Sequence, residues 1–435
     1  MRSIDRNALA VLTVVLLVLG ASRAECAVLG GAGRADITPA VAEYDVPLGG
    51  YGDRQGKPCE GIHDRIYANA LVLKDGANLV CAVATDLLFI PRSLKEEVVK
   101  AVGDPEIRYD TLFIAAAHDH AAPESMCMNR RNTLGNKYIG VFNERLLLET
   151  AQRIAPAIKE AKENLGPIEM GVASGKIPNL NYNRRRDPVV DDEMVVATFA
   201  RPGGELVAVF VNFTAHPTIT GSRNMLLSGE WPGYMARAVQ AQLGAELPVL
   251  YMNGPEGDQA PRVAREPGKG VFERIERYGT AVGEKALELL ATVTTQPIDR
   301  LHLEFASIEL PETKLSPVFA MIAGTEYRVK PDELERGLAE LIPTQAEVGL
   351  LVVGDLLLVG IPGEPIAAIG LEIERRARDL GFRHPVVIGL ANDFIGYILT
   401  PEEYSQGGYE ATVSFFGPDL GTVIVSKTVA ALQSL

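Results

Sequence analysis

The sequence predicts an α/β protein with a mixed β-sheet core covered by helices and a metal site at the carboxyl ends of strands. Two observations carry the fold class. Short β-branched, apolar runs alternate with amphipathic helical stretches along nearly the whole of the 435 residues. No Pro/Ser-rich linker, low-complexity tract or internal repeat of about 20 to 50 residues interrupts that alternation. Composition agrees: hydrophobic residues at 47% and charged residues at 23% suffice for a large buried core and leave no compositionally disordered tail. Residues 28–435 therefore read as one catalytic-sized unit.

Each element has its own signal. Apolar and β-branched runs predict strands at Ala68–Leu73, Leu79–Thr85, Thr111–Ala116, Glu193–Phe199, Leu206–Phe213, Pro248–Met252, Leu301–Ile308, Gly349–Val353, Leu356–Gly360 and Pro385–Leu390. Amphipathic spacing predicts helices at Ser93–Val102, Asn143–Asn164 with a break near Pro156, Trp231–Leu243, Val271–Ala291, Asp332–Leu341 and Pro365–Leu380. Ahead of the first strand, Arg2 and Arg6 precede an apolar stretch from Ala8 to Leu19 and a small-residue end, Ser22-Arg23-Ala24. That pattern predicts a signal peptide over residues 1–24 and a secreted or periplasmic mature chain, because the apolar run falls short of the roughly 20 residues a bilayer span needs.

Charge removes one class of partner. The formal net charge is −14 and no Lys/Arg run reaches five residues, so nucleic acid is not an expected ligand. Export permits disulfides, yet Cys26, Cys59, Cys81 and Cys127 allow three full pairings and show no C-x-x-C spacing. Cys81, inside an apolar strand pattern, reads as a buried thiol.

The chemistry collects just after strands, where ligands gather in open α/β sheets. His118-Asp119-His120 follows the run ending at Ala116; an extended H-x-H puts both imidazoles on one face, suited to a metal or to a structural pair. His216, before Pro217, follows Phe213. Glu364 follows Gly360 through Ile361-Pro362-Gly363, and Pro365 suits the first turn of a helix, so helix capping is the alternative to a ligand role. Tyr397 lies beyond the run ending at Leu390. The segment Tyr251 to Pro261 is glycine-rich but lacks the Lys-Ser/Thr of a P-loop and the G-x-S-x-G of a nucleophile elbow. Imidazoles, one carboxylate and a phenol suit zinc better than Mg²⁺ or Ca²⁺.

Taken in order, these segments resemble the amino-terminal catalytic domain of the neutral/alkaline, non-lysosomal ceramidases. The resemblance runs through Gly31-Ala32-Gly33-Arg34-Ala35-Asp36-Ile37-Thr38-Pro39, Leu48-Gly49-Gly50-Tyr51-Gly52, His118-Asp119-His120, Asn183-Arg184, His216, Ser228-Gly229-Glu230, Pro362-Gly363-Glu364, Tyr397 in Gly396-Tyr397-Ile398-Leu399-Thr400, and Tyr409-Glu410-Ala411. It implies a zinc site of His118, His216, Glu364 and Tyr397, with His120 and Arg184 as catalytic residues. It also departs from the family. Where the family has Ser in G-D-V-S-P, the chain has Gly257-Asp258-Gln259-Ala260-Pro261, and Ala260 offers no hydroxyl. The family's additional carboxy-terminal β-domain has no counterpart in the resemblance.

The expected function is a zinc-dependent hydrolase of a linear carboxamide bond in a small or lipid-like N-acyl substrate, with metal-bound water as nucleophile. His120 would move a proton or hold the tetrahedral intermediate. Arg184 would stabilise oxyanion charge or grip a carboxylate, and a surface arginine is its alternative. Asp258 would shape its loop. No membrane span and no protein partner are expected. Cys127 to Lys137 reads as a surface loop, with a lid as the alternative. Two other functions stay open: hydrolysis of an ester or lactone, and an exported binding protein that keeps the fold without catalysis.

Overall fold

A computed structural model describes residues 28–264, 268–325 and 328–435. The expected signal peptide, residues 1–24, and Cys26 lie outside the described residues. Within them one supersecondary pattern occurs three times. The first unit contains β1 (Leu29–Asp36), β2 (Tyr67–Asp75), β3 (Asn78–Thr85), α1 (Arg92–Val102), β4 (Leu112–Ala116) and α2 (Glu144–Glu163). The second contains β5 (Glu169–Lys176), β6 (Glu193–Ala200), β7 (Leu206–Phe213), α3 (Glu230–Leu243), β8 (Val249–Met252) and α4 (Val271–Leu290). The third contains β9 (Leu301–Glu309), α5 (Pro317–Thr325), α6 (Pro331–Leu341), β10 (Gln345–Val353), β11 (Leu356–Gly360), α7 (Ala367–Asp379), β12 (His384–Ile388) and α8 (Leu420–Leu432).

The sheets run β4-β3-β2-β1, β8-β7-β6-β5 and β12-β11-β10-β9, the first two extended at the β1 and β5 edges by Gly166–Pro167 and Gln296–Pro297. In every sheet the first three strands are antiparallel, and the fourth returns through a helix to lie parallel to the third. This makes each sheet mixed, as expected. The repeat is longer than solenoid periods, and the three copies differ too much in residue identity for the sequence to display it.

Both faces of β3, β4, β6 and β11 are buried, which is why these strands read as nearly continuous apolar runs. Inner faces meet in a shared core that includes Leu71 and Val80, Phe199 and Phe210, and Leu351 and Leu358. Outer faces lie under each unit's helices: Val72 and Val83 with Ile154, Val196 and Val211 with Trp231, Val348 and Val359 with Ile373. Neighbouring residues such as Leu71 and Val72 thus serve different cores, following the two-residue period of a strand.

Three differences from the sequence expectation have physical causes. β1 is missed because its glycines break the apolar pattern, and packing requires them: a Cβ on Gly31 would stand 2.2 Å from the Ala161 carbonyl, and one on Gly33 2.4 Å from that of Ala157. Helix α2 therefore lies directly on the strand. That helix also passes through Pro156 without the expected break; burial of Ala151, Ile154, Ala155, Ala157 and Ile158 along it outweighs one lost backbone bond. Finally, Pro365 does not open a helix. Glu364–Pro365 pairs in parallel with Tyr397–Ile398, and α7 begins at Ala367.

Candidate metal centre and active site

The carboxyl ends of the three parallel strand pairs converge, and Asn253 ties them together. This buried residue follows β8. Its Nδ2 donates to the carbonyls of Ala117 and Ala215, each at 3.0 Å, while its own carbonyl accepts from Gly389 N at 3.1 Å. The loops after β4, β7 and β12 are thereby fixed to one another. Sequence reasoning gave Asn253 no role, since nothing in the glycine-rich segment around it distinguishes a loop asparagine from a staple.

His118, His216 and Glu364 are brought together at this junction. Glu364 Oε2 lies 3.2 Å from His118 Nε2 and 3.4 Å from His216 Nε2. Ligand atoms of a tetrahedral site with bonds of about 2.0–2.1 Å stand roughly 3.3–3.5 Å apart, so the spacing fits a single ion. The other ring nitrogens are engaged: His118 Nδ1 pairs with the Leu88 carbonyl at 2.9 Å and His216 Nδ1 with that of Glu256 at 2.7 Å. With a proton on each Nδ1, both Nε2 lone pairs face the common point. His216 Nε2 and Glu364 Oε2 are buried without a hydrogen-bond partner in the protein, the condition expected of metal-binding atoms.

Electrostatics favours the ligand protonation state of His216. Burial, with Arg184 adding to it, pulls the His216 imidazolium down to about 3, leaving the neutral base a cation needs.

The His118-Asp119-His120 segment is not extended. His118 has φ +69°, and Asp119 Oδ1 accepts from Ala121 N at 2.7 Å, folding the segment into a tight turn. The imidazoles meet because of that turn, with Nε2 of His120 3.2 Å from Nε2 of His118. A seat for His120 comes from far up the chain. Gly50, at φ +81°, lies so near the ring that a Cβ there would be 2.1 Å from Nδ1. The Tyr51 ring tilts against the imidazole at 4.9 Å, and Arg54 Nη1 donates to the carbonyls of Gly49 and His120 at 2.6 Å each. Glu124 completes the seat by accepting from Gly50 N at 3.2 Å.

Tyr397 and Arg184 are linked at the opposite rim. Arg184 Nη2 donates to the Tyr397 hydroxyl at 3.1 Å and to the Gly257 carbonyl at 2.8 Å, while Nε reaches Glu410 Oε1 at 2.8 Å. Burial, with the Glu364 charge adding to it, holds the Tyr397 phenol well above the ordinary range. Arg184 is therefore not a free surface arginine; it holds Tyr397 and Glu410 in place. Asp258 shapes its loop by accepting from Ala367 N at 2.9 Å and from Asn183 Nδ2 at 2.7 Å. Ala260 lies buried on the strand Gln259–Pro261, facing Tyr182 in register.

His118, His120, Glu364 and Tyr397 close the floor of a cavity of about 220 Å³. Its walls are mostly apolar and include Met126, Phe319, Leu334, Leu338, Phe394 and Phe415. Helices α5 and α6 supply the outer wall, which the sequence pattern does not connect with the histidines. The segment from Cys127 to Lys137 is a loop anchored at its start, where Cys127, Met128, Asn129 and Asn132 are buried, while Arg130, Thr133, Gly135 and Lys137 are exposed at the surface and Leu134 lines the cavity. Cys59, Cys81 and Cys127 are free thiols. Among the described residues no helix is long and apolar enough to cross a membrane.

Residues 29–248 and 331–424 match the family model for the amino-terminal domain of neutral/alkaline non-lysosomal ceramidase. The chain is 25% identical to a neutral ceramidase of Pseudomonas aeruginosa, over 89% of this chain and 69% of that one. It is 24% identical to a neutral ceramidase of Mycobacterium tuberculosis, over 89% and 74%. The crystal structure of the Pseudomonas aeruginosa neutral ceramidase superposes with a TM-score of 0.80 at 22% identity, covering 94% of this chain and 75% of that one. A ceramidase solved in complex with C2 superposes at 0.77 and 21%, covering 94% and 76%. The chain belongs to the neutral/alkaline non-lysosomal ceramidase family.

Proposed function

We propose, from that membership and the geometry of the centre, that the chain is an exported zinc hydrolase that cleaves the N-acyl amide bond of a ceramide-like lipid. The observation that carries the metal is the pair of partnerless atoms, His216 Nε2 and Glu364 Oε2, set with His118 Nε2 at tetrahedral spacing. His118, His216, Glu364 and Tyr397 would hold the ion. When bound, zinc supplies Lewis acidity and brings the pKa of water near 7. Residues 28–435 act as the catalytic unit and residues 1–24 as its export signal.

The protein groups divide the remaining work. The apolar cavity takes a hydrocarbon chain and excludes water from the amide, which strengthens every electrostatic contact at its floor. His120, lowered well below its usual pKa by burial and by the neighbouring imidazoles, enters the cycle as a neutral base; its Nε2 takes a proton at the reacting centre and returns it to the leaving amine. Arg184 positions the Tyr397 oxygen through its Nη2 hydrogen bond. No hydroxyl at Ala260 is needed for attack, because the nucleophile is water.

Elemental analysis of the purified chain and of His216→Ala tests the reading. The expected result is one zinc per chain, absent from the variant, with cleavage of N-acyl but not matched O-acyl substrates. A fully active, metal-free protein would refute it, and preference for the O-acyl series would reassign the bond to an ester.

A further inference from the structure

Glu256 follows β8 on the short turn Glu256–Asp258, in the glycine-rich segment to which the sequence assigns no ligand. It is completely buried, and neither Oε1 nor Oε2 has a hydrogen-bond partner in the protein. Leaving a buried carboxylate without compensation is strongly unfavourable. Adding a proton does not resolve this, because a neutral carboxyl still has a donor and an acceptor to satisfy. A bound cation compensates the carboxylate charge directly.

The surroundings are shaped for that purpose. A Cβ on Gly389 would stand 2.3 Å from Glu256 Oε2, so a glycine after β12 leaves the carboxyl its room. Atoms of His118, Glu256 and Glu364 able to bind a metal all lie within 4.8 Å of one another, and His118 and Glu364 are the same residues that adjoin His216. The backbone carbonyl of Glu256 already fixes His216 through Nδ1. Glu256 does not line the cavity, whereas His118, His120, Glu364 and Tyr397 do.

We propose that Glu256 is an additional, inner carboxylate ligand of the metal centre, binding the ion from the side that does not face the substrate cavity. The inference rests on the metal reading above and extends its ligand set. The centre then has two imidazoles and two carboxylates, whose charges together neutralise a divalent ion, with Tyr397 at the cavity face. Five-coordinate zinc accommodates this set.

The test uses the full mature chain loaded with zinc. Chelator competition at fixed pH compares the natural protein with Glu256→Gln, which keeps the size of the side chain and removes its charge. The expected outcome is an affinity lower by at least about tenfold with an unchanged circular dichroism spectrum. Equal affinities would overturn the inference. An anomalous-scattering crystal structure of the zinc-loaded natural protein decides the matter without any variant. An ion within about 2.0–2.2 Å of a Glu256 oxygen supports the assignment. An ion bound by His118, His216 and Glu364 but beyond about 3 Å from Glu256 overturns it while leaving the metal reading intact. Failure of the natural protein to bind any divalent ion overturns both.

Discussion

Substituting Gly50 by alanine tests whether the seat of His120 matters to catalysis separately from the metal. The added Cβ would stand 2.1 Å from His120 Nδ1, and ordinary van der Waals contact begins near 3.4 Å, so the ring must retreat by more than 1 Å. The backbone cannot absorb this cheaply: Gly50 has φ +81°, where a side chain costs about 1–2 kcal/mol, and Gly50 N is already committed to Glu124. Arg54 holds the backbone on both sides of the contact, at Gly49 and at His120, so the imidazole is the part that moves. A misplacement of about 1 Å in a reacting group costs on the order of 10²-fold in rate. The expected result is kcat on an N-acyl lipid substrate reduced about 100-fold, with zinc content unchanged because His118, His216 and Glu364 are untouched. Turnover by a stopped assay and metal by elemental analysis are read on the same preparation. A folded Gly50→Ala protein with zinc bound and natural kcat would refute the placement of His120 at the reacting centre.

Other substitutions probe the remaining links. Tyr397→Phe removes the phenolic oxygen alone; as a ligand change it lowers zinc affinity in chelator competition by at least about tenfold, whereas unchanged affinity would remove Tyr397 from the ligand set. Phe319→Ala and Leu338→Ala widen the cavity's outer wall and weaken the preference for long over short acyl chains, at about 0.8 kcal/mol for each methylene no longer covered; equal kcat/KM ratios before and after would place the chain elsewhere. Lys95 is buried, with Nζ 3.1 Å from Asn392 Oδ1 and 3.8 Å from the Phe305 ring centroid, and burial lowers its amine to about 7. Between about 7 and its unfolded value the unfolded chain holds more protons, so this group adds stability as pH rises across that window, by at most about 1.4 kcal/mol per pH unit. Lys95→Met should flatten that slope in urea unfolding between pH 7 and 10, and an identical slope would show that Lys95 does not titrate there.

The parts of the fold legible in the sequence are those where burial and local pattern agree. β3 and β11 are buried on both faces and read as apolar runs; α4 reads by its amphipathic period. β1 is illegible for the opposite reason, since Gly31 and Gly33 are selected by the approach of α2, a contact between residues far apart in the chain. At the site, His118, His216 and Glu364 are legible through their positions after strands. Glu256, Asn253 and the seat at Gly50 are not, because their meaning lies in what faces them. The turned conformation of His118 was equally hidden, as an H-x-H triplet looks the same extended or folded.

The threefold repeat explains why the centre is scattered along the chain. After the third strand of the units come Leu88, His216 and Glu364 respectively; after the fourth come His118 in the first and Glu256 in the second. Every unit therefore sends something to the same point: the first an imidazole and the carbonyl that orients it, the second another imidazole and the Glu256 carbonyl that orients it, the third the carboxylate between them. Such a centre exists only when all three sheets are docked through Asn253 and the shared core. Metal binding and global stability are consequently linked: an ion that binds only the folded chain stabilises the three units together, by about 4 kcal/mol at a thousandfold excess over Kd. Zinc removal should accordingly lower a single cooperative transition rather than release one unit ahead of the others, and two separated transitions in calorimetry of the metal-free chain would refute that coupling.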